Sequence, residues 1–232
     1  MTDLTYAQTV TGQTLDHTAL AALIAAAGGA PVHLAECDLD EAELGSLDLA
    51  GWFFERCTLR RTDLTKARLE RTSWQSCRGP FACFFSADLT DATFRSCDFN
   101  NANLRHARMT SARFTGCKLT GADLTDVRMI DTTFEETLLA GAKLAALSFR
   151  RQHVQRVDFA QADLRKADFR ETVFEGCSLR DAMLAGARFD KADLRGADLG
   201  GLRLVDAALF RGAMISHAQA GQMLAELGLR LG

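Results

Sequence analysis

The chain has 232 residues, 47% of them hydrophobic and 25% charged, with a formal net charge of −3. That balance is ordinary for a soluble protein and supplies neither the basic excess of a nucleic-acid binder nor the charge of a membrane-surface protein. No run of 18 apolar residues is present, which excludes a transmembrane helix, and the opening "MTDLTYAQTV" lacks the basic and apolar regions of a secretory signal.

Residues 1–31 read as an N-terminal cap containing a short helix. In "DHTALAALIAAAGG", residues 16–29, Asp16 is placed to cap that helix. Leu20, Leu23 and Ile24 form an apolar stripe, and Gly28-Gly29 can end it. A second reading makes Val10, Leu15 and Leu20, spaced by five, a degenerate first coil. The frame breaks between Leu20 and Leu34, so a helix is expected somewhere in that gap.

From Leu34 to Met214 every fifth residue belongs to one series of 37 positions, of which 20 are Leu and 11 are Phe. Two residues before each lies a second selective series, with 17 Ala and six Cys. The other three slots are mostly polar, and Asp is common just before the large residue. A helix would place apolar residues at 3.6 spacing and a strand at 2. A period of five therefore means that the chain turns a corner every five residues, with the large and small selected positions facing inward.

The cysteines set the number of corners per turn. Cys37, Cys57, Cys77, Cys97, Cys117 and Cys177 occupy the small slot at multiples of twenty, and only Cys83 lies off that lattice. Phe54, Trp74, Phe94, Phe114, Phe134 and Phe174 keep the same register at the large slot. Four pentapeptides thus return the chain over itself, and residues 32–214 read as a four-sided, all-β solenoid of slightly over nine coils. Like residues stack on like at strand spacing, and Cys serves there as a small hydrophobe.

One stretch departs from the pattern. "CRGPFACFF", residues 77–85, puts Gly79 in a large slot and leaves Phe81 and Phe85 outward; Phe53 and Phe210 are also outward by register. Either Phe81 swings inward to fill the hole left by Gly79, or Phe81 and Phe85 form an aromatic contact surface for a partner.

Residues 215–232 read as a C-terminal helix followed by a short strand. Ser216 and Gln219 form a capping box, Ile215 can staple onto Ala220, and Gly228 suits the residue after the helix. This end either folds onto its own last coil or joins a second copy. In the latter case the homodimer interface comprises Ile215, Ala220, Met223, Leu224, Leu227, Leu229 and Leu231.

No catalytic motif accompanies the repeat. The five His are scattered, and the seven Cys are odd in number and lack a CxxC pair. The expectation is a non-enzymatic cytoplasmic protein with reduced thiols, without metal or cofactor. No side carries the basic stripe that direct nucleic-acid binding needs.

The A(D/N)LXX beat, as in "GADLT", "KADLR" and "NANLR", resembles the pentapeptide repeat family. That resemblance implies a right-handed quadrilateral β-helix. The ending "QAGQMLAELGL", through Gln219, Ala220, Leu224, Leu227 and Gly228, is similar to the quinolone-resistance (Qnr-type) group within it. There the terminal helix forms a dimer and the rod engages DNA gyrase or topoisomerase IV, by DNA mimicry or by shielding the enzyme from quinolone-type poisons. The unbroken register leaves no projecting loop, so the similarity is to the loop-free members.

Overall fold

The computed structural model describes residues 6–200, 208–226, 228 and 229. It divides into two units, residues 1–133 and 134–232.

In the first unit β1 (Gln8–Thr11) is followed by α1 (His17–Ala27) and five strands. These are β2 (Val32–Ala35), β3 (Phe53–Glu55), β4 (Ser73–Gln75), β5 (Thr93–Arg95) and β6 (Arg113–Thr115). Every pairing among them is parallel, and from β2 onward partners lie twenty residues apart, as in Leu34↔Phe54 and Phe54↔Trp74. The other three sides are joined by single bridges at the same spacing, such as Asp38↔Thr58, Glu43↔Asp63 and Asp48↔Arg68. Four sides per lap follow directly.

Each corner uses one residue in the left-handed backbone region. Glu41 (φ 60°), Ser46 (φ 61°) and Gly51 (φ 74°) turn three corners of one lap, and Arg56 (φ 51°) turns the fourth. On three sides the corner closes a four-residue turn, with the Ala42 N–H donating to the Leu39 carbonyl at 3.1 Å. Asp residues support these corners from outside: the Asp38 and Asp63 carboxylates accept from the Asp40 and Thr65 N–H groups at 2.9 and 2.8 Å.

The core is a set of columns. Phe54, Trp74, Phe94 and Phe114 stack in sequence, with successive ring centroids 3.9, 5.6 and 4.6 Å apart and interplanar angles of 8° or less. Leu44, Leu64, Leu104 and Leu124 form another buried column, interrupted by Phe84. The small slots are close-packed but not purely apolar. Buried Thr62 donates its hydroxyl to the Leu39 carbonyl at 2.7 Å. Cys57 and Cys77 send their S–H groups to the Leu34 and Phe54 carbonyls, each at 3.3 Å. In both cases the acceptor lies 23 residues earlier, on the preceding coil, so the cysteine lattice is a hydrogen-bonding ladder as well as core filler.

Both N-terminal readings are realised together. Val10, Leu15 and Leu20 are buried as a first coil, and β1 pairs with β2 through Val10↔Leu34. The segment expected as a separate cap therefore already belongs to the sheet from Gln8. Helix α1 is inserted within that coil, capped by the Asp16 side chain on the Ala19 N–H at 2.8 Å and ended by Gly28 at φ 60°.

The second unit contains β7 (Thr133–Glu135), β8 (His153–Gln155), β9 (Val173–Ser178), β10 (Asp193–Asp198) and α2 (His217–Glu226); the division falls inside β7. Its strands are also parallel, and Phe149, Phe169 and Phe189 stack at about 5 Å with angles of 15°.

The register breaks near the end, contrary to the unbroken frame read from the sequence. Asp193 pairs with Met214, one residue beyond the regular interval, and Met214 is 52% exposed. Phe210, expected outward, is 9% exposed and stacks on Phe189 with centroids 4.7 Å apart. At Phe210 and Met214 the inward and outward slots are therefore exchanged relative to the five-residue frame. Leu199, Leu204 and Leu209 keep the five-residue spacing, so the sequence carried no sign of that exchange.

Candidate interaction surfaces

The first candidate surface is α2. Its N-terminus is held by the reciprocal bonds of a capping box: the Ser216 N–H donates to Gln219 Oε1 at 2.6 Å, and the Gln219 N–H donates to Ser216 Oγ at 3.2 Å. Gln219 is itself buried. Its amide nitrogen donates to the Leu194 and Ala197 carbonyls at 2.7 and 2.6 Å, which fastens the helix to β10. At the other end Gly228 takes φ 76°, the Gly228 N–H donates to the Ala225 carbonyl, and the Leu229 N–H donates to the Leu224 carbonyl. That is a Schellman closure.

Of the residues expected at a dimer interface, Ile215, Ala220, Met223 and Leu224 are half-buried and Leu229 is 55% exposed. Leu227 and Leu231 lie outside the described residues. The helix thus folds onto its own last strand and still presents apolar side chains.

The second candidate is the departure at residues 77–85. Phe81 does not swing inward. It is 55% exposed, and the backbone keeps the regular corner, with the Ala82 N–H donating to the Gly79 carbonyl at 3.1 Å. The room left by Gly79 is taken by Phe99 of the next coil: a Cβ added at Gly79 would meet the Phe99 ring at 2.5 Å. Phe85 is half-buried and meets His106 edge-on, ring centroids 5.3 Å apart.

Charge is distributed differently in the two units. In the second, each of the eight arginines from Arg150 to Arg195 sits within 3.8 Å of a carboxylate. Asp163, Asp168 and Asp193 each grip the arginine two residues on, and those bonds hold their carboxyls below the usual range, against the opposing effect of burial. In the first unit Arg61, Lys66, Arg71, Arg78, Arg95, Arg105, Arg113, Lys118 and Arg128 are exposed and form no ion pair with any described residue. Composition gave no signal of this contrast, because it depends on which residues the lap brings together.

Six of the seven thiols are buried and Cys83 is half-buried. Burial pushes Cys37 and Cys177 up, and Cys77 and Cys117 are held protonated by bonding with neighbouring thiols and by burial. Among the described residues no group of three or more His, Cys, Asp or Glu could hold a metal, and no helix is long and apolar enough to cross a membrane.

The chain matches the family model described as pentapeptide repeats, in eight copies, over residues 37–73 and in overlapping segments from 87 to 209. Full-length QnrB1, a plasmid-mediated fluoroquinolone resistance protein, is similar in fold. Its TM-score is 0.70 at 20% identity, covering 97% of this chain and 99% of that one. A trypsin-treated variant of QnrB1 gives 0.64 at 21% identity, over 86% and 97%. No curated protein matches the sequence. The five-residue frame, the parallel laps of twenty and the family match agree: this chain belongs to the pentapeptide repeat family, and its fold is the right-handed quadrilateral β-helix.

Proposed function

We propose that this protein is a non-enzymatic binder of type II topoisomerase that modulates the enzyme or shields it from quinolone-type poisons. The observation that carries the reading is the likeness to QnrB1 over 97% of the chain, including an end where a helix closes the last strand. The reading also takes α2 as the dimerisation element, supported by Met223, Leu224 and Leu229 remaining partly or largely open to solvent. DNA mimicry is not required. The arginines of the second unit neutralise many of its carboxylates and weaken any phosphate-like field.

Supercoiling and drug-stabilised cleavage by DNA gyrase, titrated with this protein in the presence and absence of ciprofloxacin, test the reading. A dose-dependent change in supercoiling or a fall in cleaved DNA is expected; an unaltered enzyme with unaltered drug response would refute it. Leu224→Glu should give monomers by light scattering while the β signal in circular dichroism persists. A variant that stays dimeric would place the interface elsewhere.

A further inference from the structure

The stretch Gly79–Pro80–Phe81–Ala82 is one corner of the coil, with Pro second and Phe third in the turn. Proline in the second position pre-sets its own φ and stiffens the corner, whereas the third, left-handed position favours Gly or Asn. Phe81 holds φ 62° there, the only large apolar side chain in the left-handed region among the described residues. Asn101, one lap later, shows the residue type that the slot accepts without penalty. Packing does not explain the choice, because Phe81 faces solvent and Phe99 fills the core beneath it.

The surroundings supply a reason. The backbone of Arg61 is bonded to Pro80 at 3.1 Å, so Arg61 lies one lap before Phe81. Around the corner the Lys66 N–H donates to the Phe85 carbonyl at 2.8 Å, and the Ser86 N–H donates to the Arg105 carbonyl at 2.9 Å. Lys66 and Arg105 therefore flank Phe85 from the laps before and after it. Arg78 immediately precedes the corner that carries Phe81 and pairs through its backbone with Asp98 of the next lap. Exposed Phe81 and half-buried Phe85 thus have four cations on their own and the adjoining laps that pair with no described carboxylate, against the single carboxylate of Asp63, which lies beneath Cys83 between them.

We propose that Phe81 and Phe85, with Arg61, Lys66, Arg78 and Arg105, form a docking site for a short acidic segment of a partner protein. An apolar residue of that segment sits on the two rings and its flanking carboxylates meet the cations. Charge complementarity favours the carboxylates. The small extent of the patch favours a short peptide over a nucleic-acid strand. Glu41 and Glu43 close it on the preceding lap, and Asp126, 4.0 Å from His106, closes it on the following one. A phosphate backbone would need the cations to continue.

The site is independent of the topoisomerase reading, so its test uses none of that enzyme. A fluorescein-labelled peptide alternating acidic pairs with leucine is titrated with the full chain at low salt. A polyglutamate peptide and oligothymidylate serve as comparisons. The acidic-leucine peptide should bind best, and Phe81→Asn should weaken it by about tenfold or more. The same substitution should leave the thermal midpoint unchanged or raised, which a structural role for Phe81 would not do. Arg61→Glu combined with Arg105→Glu should abolish binding. The proposal is overturned if no peptide binds, if Phe81→Asn binds as the parent does, or if oligothymidylate binds more tightly than the peptide.

Discussion

At the scale of single residues, the repeat is held by side chains that satisfy the backbone as often as they fill space. Thr62, Thr172, Cys57 and Cys177 all donate to a carbonyl 23 residues earlier, so the small slot selects a short donor as well as a small volume. The sequence displayed the size preference openly, through its Ala and Cys, but not the bonding, which depends on the preceding lap. The Asp just before the large residue is legible in function too: it bonds the turning backbone, as its position implied. Asp163 does more, gripping Arg165 at 2.6 Å with its side chain mostly buried. Its carboxyl is held below the ordinary value by that arginine, although burial acts in the opposite direction. A depressed folded value means that the stabilisation is fully present above the unfolded carboxylate range. It is lost as pH falls through about 4 toward the folded value. Asp163→Asn should therefore cost about 1 kcal/mol at neutral pH, part of a charged pair being screened by solvent. Urea midpoints measured at pH 7 and pH 3 should show the gap between variant and parent closing in acid.

At the scale of elements, the helices were legible because their ends are written locally. Asp16 with Gly28, and Ser216 with Gln219 and Gly228, carry capping chemistry that needs no tertiary partner. What α2 rests on was not legible. Gln219 reads as one half of a capping box, yet its amide nitrogen also reaches two carbonyls of β10, 25 and 22 residues away. Those carbonyls lie on β10, the last strand among the described residues, and one side-chain amide satisfies both. Gln219→Ala leaves buried acceptors without their donor, at a cost of about 1–3 kcal/mol. The loss should appear locally. Amide exchange across α2 should accelerate, while β3 to β6 retain their protection. Equal acceleration throughout would mean that α2 is part of the same cooperative unit as the distant coils.

At the scale of the molecule, a repeat fixes architecture strongly and function weakly. The five-residue frame and the twenty-residue lap identified the β-helix because every lap restates them. The shifted pairing at Phe210 and Met214 and the exposed Phe81 are single departures, and their consequences appear only once neighbouring laps are superposed. The same logic makes the lap the unit of energetic exchange. Each coil contacts its immediate neighbours, so stability is a sum of coil and interface contributions. Removing residues 57–76 joins Arg56 to Cys77 and sets Phe54 on Phe94, since Phe54, Trp74 and Phe94 already share one register. Every column stays in phase and only one interface is lost. Removing residues 57–61 deletes far fewer contacts but rotates everything downstream by one side, so that Phe54 faces Gly79 in place of Trp74. A shift of register sends a matched column onto mismatched neighbours, as a slipped strand does in any sheet. The twenty-residue deletion should therefore unfold cooperatively in urea with β circular dichroism retained. The five-residue deletion should be the less stable of the two, despite being the smaller change. If the five-residue deletion equals or exceeds the larger one in stability, the columns do not control the fold.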